Sequence, residues 1–220
     1  PFFGSFQLAS SSILLEAREG HDLAMAIILG LDVSTSVTGI CVIDSSVSPD
    51  EAGSHIRLID RIEFPKCKTL WDKADAVATY LSTLTSWGIE RIVLEEPLMG
   101  FRSGMSSAQT ITQLMRFNGV VSYIARSVFK KEPEYIGSAH ARKLCGIKLQ
   151  RTALGGPQKE QVFAHMAAND LKHVQWPVTK TGKQVPWSRD ATDAYVIARA
   201  AAVEGPHPAR YEKAEEVQEG

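Results

Sequence analysis

Carboxylates at unusual places are the features of this chain best suited to chemistry. Asp32 sits inside an apolar, β-branched-rich run, Ile27 to Ile43, that reads I-I-L-G-L-D-V-S-T-S-V-T-G-I-C-V-I. Glu95 and Glu96 follow the apolar run Ile89 to Leu94 and precede Pro97, and Asp190 and Asp193 open the stretch D-A-T-D-A-Y-V-I-A-R-A-A-A-V. An ionised carboxylate on a hydrophobic strand is costly unless a partner offsets it, and a bound metal ion is a common partner. Hard divalent cations take oxygen ligands; magnesium uses one or two carboxylates per ion, completed by water and substrate phosphate. Each residue also has an ordinary explanation. Asp32 can cap the Ser34-Thr35-Ser36 turn, and Asp190 and Asp193 can complement a helix dipole. Histidine and cysteine offer no rival centre: the six histidines form no H-E-x-x-H pattern, and Cys41, Cys67 and Cys145 are scattered. That argues against a zinc site or a disulfide framework and for a reducing compartment.

The elements that must position these residues can be read in order. The first apolar run breaks at a small-polar turn ending at Gly39 and resumes at once, which predicts a β-hairpin with Asp32 near its tip. Alternation puts Asp32 on the face of Ile28 and Gly30, opposite Ile27, Leu29, Leu31 and Val33. Ile56, Leu58, Asp60, Ile62 and Phe64 alternate with charged residues as a half-exposed third strand, antiparallel to the second. Thr69 and Asp72 open a helix as a capping box, its apolar positions run from Leu70 to Leu84, and Gly88 stops it after Trp87. Ile89 to Leu94 reads as a buried fourth strand, and Pro97 turns the chain out of the sheet. The glutamates therefore stand at a strand end, where parallel α/β sheets place ligands. Only one of Glu95 and Glu96 can face such a site.

After the Gly100 to Ser107 loop, a long helix carries Ile111, Leu114, Met115, Val121, Ile124 and Val128 along its apolar side and ends at Pro133. Tyr135-Ile136 suggests a short fifth strand, and Gln158 to Leu171 another helix. Lys172 to Arg189, with Trp176, Pro177, Gly182, Pro186 and Trp187, is a long loop of the kind that is often functional. The last helix begins at Asp190 and closes at Gly205-Pro206, and the spacing of Asp190 and Asp193 sets both on one face of its first turn. This order predicts an α/β fold with a mixed five-stranded sheet, its first three strands antiparallel, flanked by helices. The first and fourth strands would meet at the middle of the sheet beside the last helix, so that the carboxylates converge.

Composition bounds the partners. The 220 residues, 44% hydrophobic and 22% charged, suit one globular domain. No apolar run approaches the ~20 residues that span a bilayer. A net charge of −1 gives no global attraction for a polyanion, so nucleic-acid binding would need a local patch. One exists: Arg126, Lys130, Lys131, Arg142, Lys143, Lys148, Arg151 and Lys159 outnumber Glu132 and Glu134, with Gly137, Gly146, Gly155 and Gly156 interleaved. Mobile basic loops of this kind suit a phosphate backbone. Residues 1–24 read as a leader or loose arm before a native start at Met25, residues 25–205 as the domain, and residues 206–220 as a flexible acidic tail.

Five segments resemble one family in the same order. G-L-D-V-S-T-S-V-T-G-I-C-V-I is similar to the first-strand motif of the RuvC-type Holliday-junction resolvases, and V-L-E-E-P-L-M resembles that family's fourth strand with its catalytic glutamate. Q-L-M-R-F-N-G-V-V resembles its long helix, K-E-Q-V-F-A-H-M its lysine-containing helix, and D-A-T-D-A-Y-V-I-A its closing acidic helix. The likeness covers Ile27 to Ala202 and implies a ribonuclease H-like fold. It implies Asp32, Glu95, Asp190 and Asp193 as catalytic metal-binding carboxylates, Glu95 matching better than Glu96, and Lys159 as a phosphate contact. It further implies a homodimer that grips a four-way junction, with the Gln113 to Val128 helix at the interface. The chemistry would be phosphodiester hydrolysis with two magnesium ions ~4 Å apart, or manganese in their place, bridged by Asp32 and leaving 5′-phosphate ends. Arg142, Lys143, Lys148 and Arg151 would add backbone contacts. Where the family places an aromatic soon after the glutamate, this chain has Leu98, with Phe101 three residues later either as the substitute for junction stacking or as ordinary loop packing. The Lys172 to Arg189 segment looks like an insertion. With the compact length, these departures resemble phage or viral members, some of which cut branched DNA generally, and place the protein in the cytoplasm, of a bacterial host if phage-encoded. The rival readings are a broader branched-DNA or RNA–DNA hybrid nuclease, an actin-like or sugar-kinase ATPase, and a silent nucleic-acid-binding module of the same fold.

Overall fold

The computed structural model describes residues 25–49, 53–97 and 108–206. Residues 1–24, 50–52, 98–107 (Leu98 and Phe101 among them) and 207–220 therefore lie outside the described residues. Five strands form one sheet: β1 (Ile27–Asp32), β2 (Val37–Asp44), β3 (Ile56–Glu63), β4 (Arg91–Glu95) and β5 (Pro133–Ile136), in the order β3-β2-β1-β4-β5. The first three are antiparallel neighbours, and β4 and β5 run parallel to β1. Helices α1 (Leu70–Ser82) and α2 (Ala108–Phe129) cover one face. The other face carries α3 (Ser138–Leu144), α5 (Gln158–Ala168) and α6 (Ser188–Glu204), with the short α4 (Thr152–Gly155) leading into α5. No helix among the described residues is long and apolar enough to cross a membrane.

The alternation of β1 is realised as read. Leu29 and Leu31 pack with Val77, Leu81, Phe117 and Val121 under α1 and α2, while Ile28 packs with Tyr195 and Ala198 of α6. α1 begins with a complete capping box, Thr69 Oγ1 accepting from the Asp72 amide at 3.1 Å and Asp72 Oδ2 accepting from the Thr69 amide at 2.8 Å. α1 stops at Ser82 rather than at Trp87; a separate 3-10 turn, Thr85–Trp87, follows, and Gly88 ends that turn in the left-handed region, at φ 68°.

Several expectations are corrected. The register of β2 and β3 shifts between Val42 and Ile43, so Ile56 packs on the α6 side while Leu58 and Ile62 stay with α1. A bulge of this kind inserts one residue and reverses the faces beyond it. α2 buries Phe117, Asn118, Val121, Ser122 and Ala125, and leaves Met115 exposed. It stops at Phe129, before Pro133, where Lys130 turns left-handed; Pro133 instead begins the edge strand β5, where a missing amide is tolerated. The basic stretch is partly helical, as α3 and α4. α5 ends at Ala168 rather than Leu171, and α6 starts at Ser188, two residues before Asp190.

Candidate active site

Asp32 is the last residue of β1, paired with Gly39 of β2, and only 6% exposed. Glu95 is the last residue of β4. Because Leu31 pairs with Leu94, the two carboxylates end adjacent parallel strands at the centre of the sheet. Val93 packs on the α6 side, and Glu95, two residues further along, shares that face. Glu96 has left the strand, and its amide donates to the Ile136 carbonyl at 2.9 Å. Asn118 of α2 donates from Nδ2 to the Glu95 carbonyl at 3.3 Å and so ties the strand end from below.

The third and fourth carboxylates arrive on α6, which lies unusually close to the sheet. A methyl group at Gly30 would overlap the Ala194 carbonyl, and one at Gly39 would overlap the Asp190 carbonyl. Glycines inside strands mark such close approach. Here the missing side chains let the first turn of α6 descend onto β1 and β2 beside Asp32. Asp193 is 8% exposed, and Asp190 is half-buried.

Lys159, near the start of α5, closes the cluster. Its Nζ lies 2.7 Å from Asp190 Oδ1, 3.2 Å from Asp193 Oδ2 and 3.3 Å from Asp32 Oδ2. One ammonium thus serves three carboxylates from two distant elements, with Glu95 close enough to repel Asp32 and Asp193.

The electrostatic balance is short of positive charge. Burial pushes the Asp32 carboxyl up to about 8; Lys159 opposes the rise, but Asp193, Glu95 and Asp190 reinforce it. Asp193 is raised by burial against the pull of Lys159 and Arg142. For Lys159, burial lowers the pKa but the carboxylates, Asp32 foremost, more than reverse it, and the group ends above its ordinary value. A cluster that raises its carboxyls even with an ammonium in its midst has room for more cationic charge.

That tests the fit of a divalent metal. The donors are all carboxylate oxygens, as a hard cation requires. A cation already occupies their point of convergence, but it is Lys159 Nζ. Among the described residues no three potential ligands are drawn together into a closed coordination set. The residues fit magnesium in donor type, while three of them converge on Lys159 Nζ, which would have to give way before they could close on an ion.

Of the other candidates, Arg142 on α3 stands near enough to lower the pKa of Asp193, and its Nη1 donates to Gln158 Oε1 at 3.4 Å. Lys143, Lys148 and Arg151 are exposed and not drawn into the carboxylate cluster. Asn118, Gly30 and Gly39 were missed by sequence reasoning. Gly30 carried a signal, being a small residue inside an apolar strand. Gly39 reads in the sequence as the end of the turn but lies inside β2, opposite Asp32, and Asn118 carried none, because its partner is a backbone carbonyl on another element.

No family model matches this sequence, and the search of curated proteins returns no match. Solved structures do match. Thermus thermophilus RuvC in complex with a Holliday-junction substrate superposes with a TM-score of 0.56 at 12% identity, over 81% of this chain and 93% of that one. This chain has the RuvC fold. A second structure of Thermus thermophilus RuvC aligns with a TM-score of 0.51 at 15% identity, over 80% of this chain and 93% of that chain. The yeast mitochondrial Holliday junction resolvase Ydc2 aligns at 13% identity and a TM-score of 0.48, over 81% of this chain and 78% of that one. The shared architecture is the ribonuclease H-like one, with the mixed five-stranded sheet described above.

Proposed function

We propose that this protein is a metal-dependent endonuclease that cuts branched DNA, four-way junctions foremost, at the cluster of Asp32, Glu95, Asp190 and Asp193. The observation that carries this reading is the convergence of Asp32, Asp190 and Asp193 on one cationic centre beside Glu95, at the strand ends of a RuvC fold. The Thermus thermophilus RuvC with that fold is solved with a Holliday junction, which supports the same substrate class here.

Magnesium, or manganese in its place, held as two ions by these four carboxylates would polarise the scissile phosphate and lower the pKa of the attacking water. The chain's own part is to hold this charge. Buried Asp32 comes from the rigid centre of the sheet, Asn118 fixes the backbone of Glu95, and the glycine-lined contact sets Asp190 and Asp193 against them. Lys159 keeps its side chain half exposed. In this reading it leaves the carboxylates and donates to a non-bridging oxygen of the bound phosphate. Arg142, Lys143, Lys148 and Arg151 add backbone contacts. Recognition then rests on shape and backbone charge rather than on base edges.

The active form in this reading is a homodimer, two sites cutting two strands symmetrically in the cytoplasm. Met115 and Tyr123, 41% and 68% exposed, follow one another with Gly119 along one outward line of α2, which supports that helix as the interface. The test is incubation of end-labelled four-way junction, three-way junction, flap and linear duplex with magnesium. Paired symmetric cuts in the four-way junction are expected. Cutting of every branched substrate would broaden the function, and cutting of none would overturn it.

A further inference from the structure

The Lys172 to Arg189 segment is an ordered arm rather than a slack loop. Val178 and Gln184 form an antiparallel bridge, the Thr179 amide donates to the Lys183 carbonyl at 2.6 Å, and the Val185 amide donates to the Pro177 carbonyl at 3.1 Å. Gly182 takes the positive φ of 78° that the turn needs, and its amide donates to the Thr179 carbonyl at 2.9 Å. The base of this hairpin is locked by a ladder of rings and cations. Trp176 meets Phe163 of α5 edge to face at 5.4 Å and Trp187 at 6.2 Å. Arg61 of β3 lies 4.2 Å over the Trp187 ring, and Arg189 lies 4.6 Å over the Phe163 ring while pairing with Glu160. Such contacts fix orientation as well as adding stability.

The hairpin borders the edge of the carboxylate cluster: a cavity of about 830 Å³ is lined by Lys159, Glu160, Arg189 and Asp190 together with Val178, Gly182, Lys183 and Gln184 of the hairpin. Lys180 and Lys183 are exposed, and neither joins an ion pair among the described residues. Lys183 lines this cavity and Lys180 is exposed on the same arm. The electrostatic complement of such uncommitted ammonium groups beside a carboxylate centre is the backbone phosphates next to the one being cut.

We propose that the hairpin over residues 177–185 is a backbone clamp for the cleaved strand, with Lys183 and Lys180 contacting phosphates that flank the scissile one. This rests on the proposed nuclease reading and adds a binding element to it. Because the arm is built in advance, the contact costs little ordering on binding. It positions the strand without reading its sequence.

The test uses the full chain and a labelled four-way junction. Affinity is measured in calcium, across a salt series, and steady-state cleavage in magnesium. Lys180→Ala/Lys183→Ala should fold with the wild-type Tm, since both side chains are exposed. The double variant should bind about 10-fold more weakly and lower the slope of log affinity against log salt by about two. KM should rise with kcat nearly unchanged, and Lys180→Arg/Lys183→Arg should restore binding. If the double variant matches wild type in affinity and salt slope while wild type cuts the junction, the clamp is overturned and the nuclease reading stands. A fall in kcat at unchanged affinity would also overturn the clamp. If wild type neither binds nor cuts branched DNA, the nuclease reading falls and the clamp with it.

Discussion

At the scale of single residues, the site is defined by carboxylates that lack enough countercharge. Between the ordinary carboxylate pKa near 3.8 and the raised value near 8, folded Asp32 retains a proton that the unfolded chain has released. The folded state then binds more protons than the unfolded one, so metal-free stability falls as pH rises through that window. Thermal melts in chelator from pH 5 to 8.5 should show a declining Tm, and Asp32→Asn should flatten the decline. Added magnesium should raise Tm most at the alkaline end, where the carboxylates are ionised. Lys159→Ala removes the cation that competes for the same oxygens, and should enlarge the magnesium-induced rise in Tm while lowering Tm in chelator. Asp32 was legible in the sequence because strand periodicity fixes its face. The triple pairing of Lys159 was not, because it depends on where α5 and α6 meet in space.

At the scale of elements, the decisive contact is α6 against the first hairpin. Gly39→Ala forces the Asp190 carbonyl away, and should cost about 1–3 kcal/mol of stability in denaturant melts. It should also cut catalysis by a larger factor than its loss of stability explains, because Asp190 and Asp193 move with the helix. On the buried side of α6, Tyr195 donates to Asp170 Oδ2 at 2.8 Å and meets His55 Nε2 at 2.9 Å. Tyr195→Phe leaves these groups short of a partner, and a loss of about 1–2 kcal/mol is expected in the same melts. The hairpin and the capping box were legible because each is encoded within a few residues. The reversed face of Ile56 was not, because a bulge in strand pairing leaves no mark on local alternation. The buried face of α2 was legible in part: Val121 is buried and Ile124 and Val128 pack on the same cluster, but Asn118 and Ser122 interrupt the apolar pattern, and they are buried because Ser122 Oγ donates to the Asn118 carbonyl and Asn118 to Glu95.

At the scale of the whole molecule, the two ends of the sheet do different work. The strand ends with Asp32 and Glu95 gather charge, while the opposite end is fastened by Arg91. Its guanidinium pairs with Glu134 through two bonds of 2.8 and 2.7 Å and reaches the Ala201 and Gly205 carbonyls at the end of α6, each at 2.9 Å. The order of elements, and hence the sheet, was legible from alternating strand and helix periods. The assembly is a matter of surface: Tyr123→Glu on α2 should yield a monomer by sedimentation without loss of Tm, and a dimer unchanged by it would exclude that helix as the interface. The central claim is that four carboxylates form a metal-dependent phosphodiesterase centre. Its most direct test is single-turnover cleavage of an end-labelled four-way junction in magnesium by wild type and by Asp190→Asn, with equal junction binding verified in calcium. The account predicts paired symmetric cuts by wild type and at least a ~100-fold slower rate for the variant. Equal rates for the two proteins, or cleavage that persists in chelator, would contradict it.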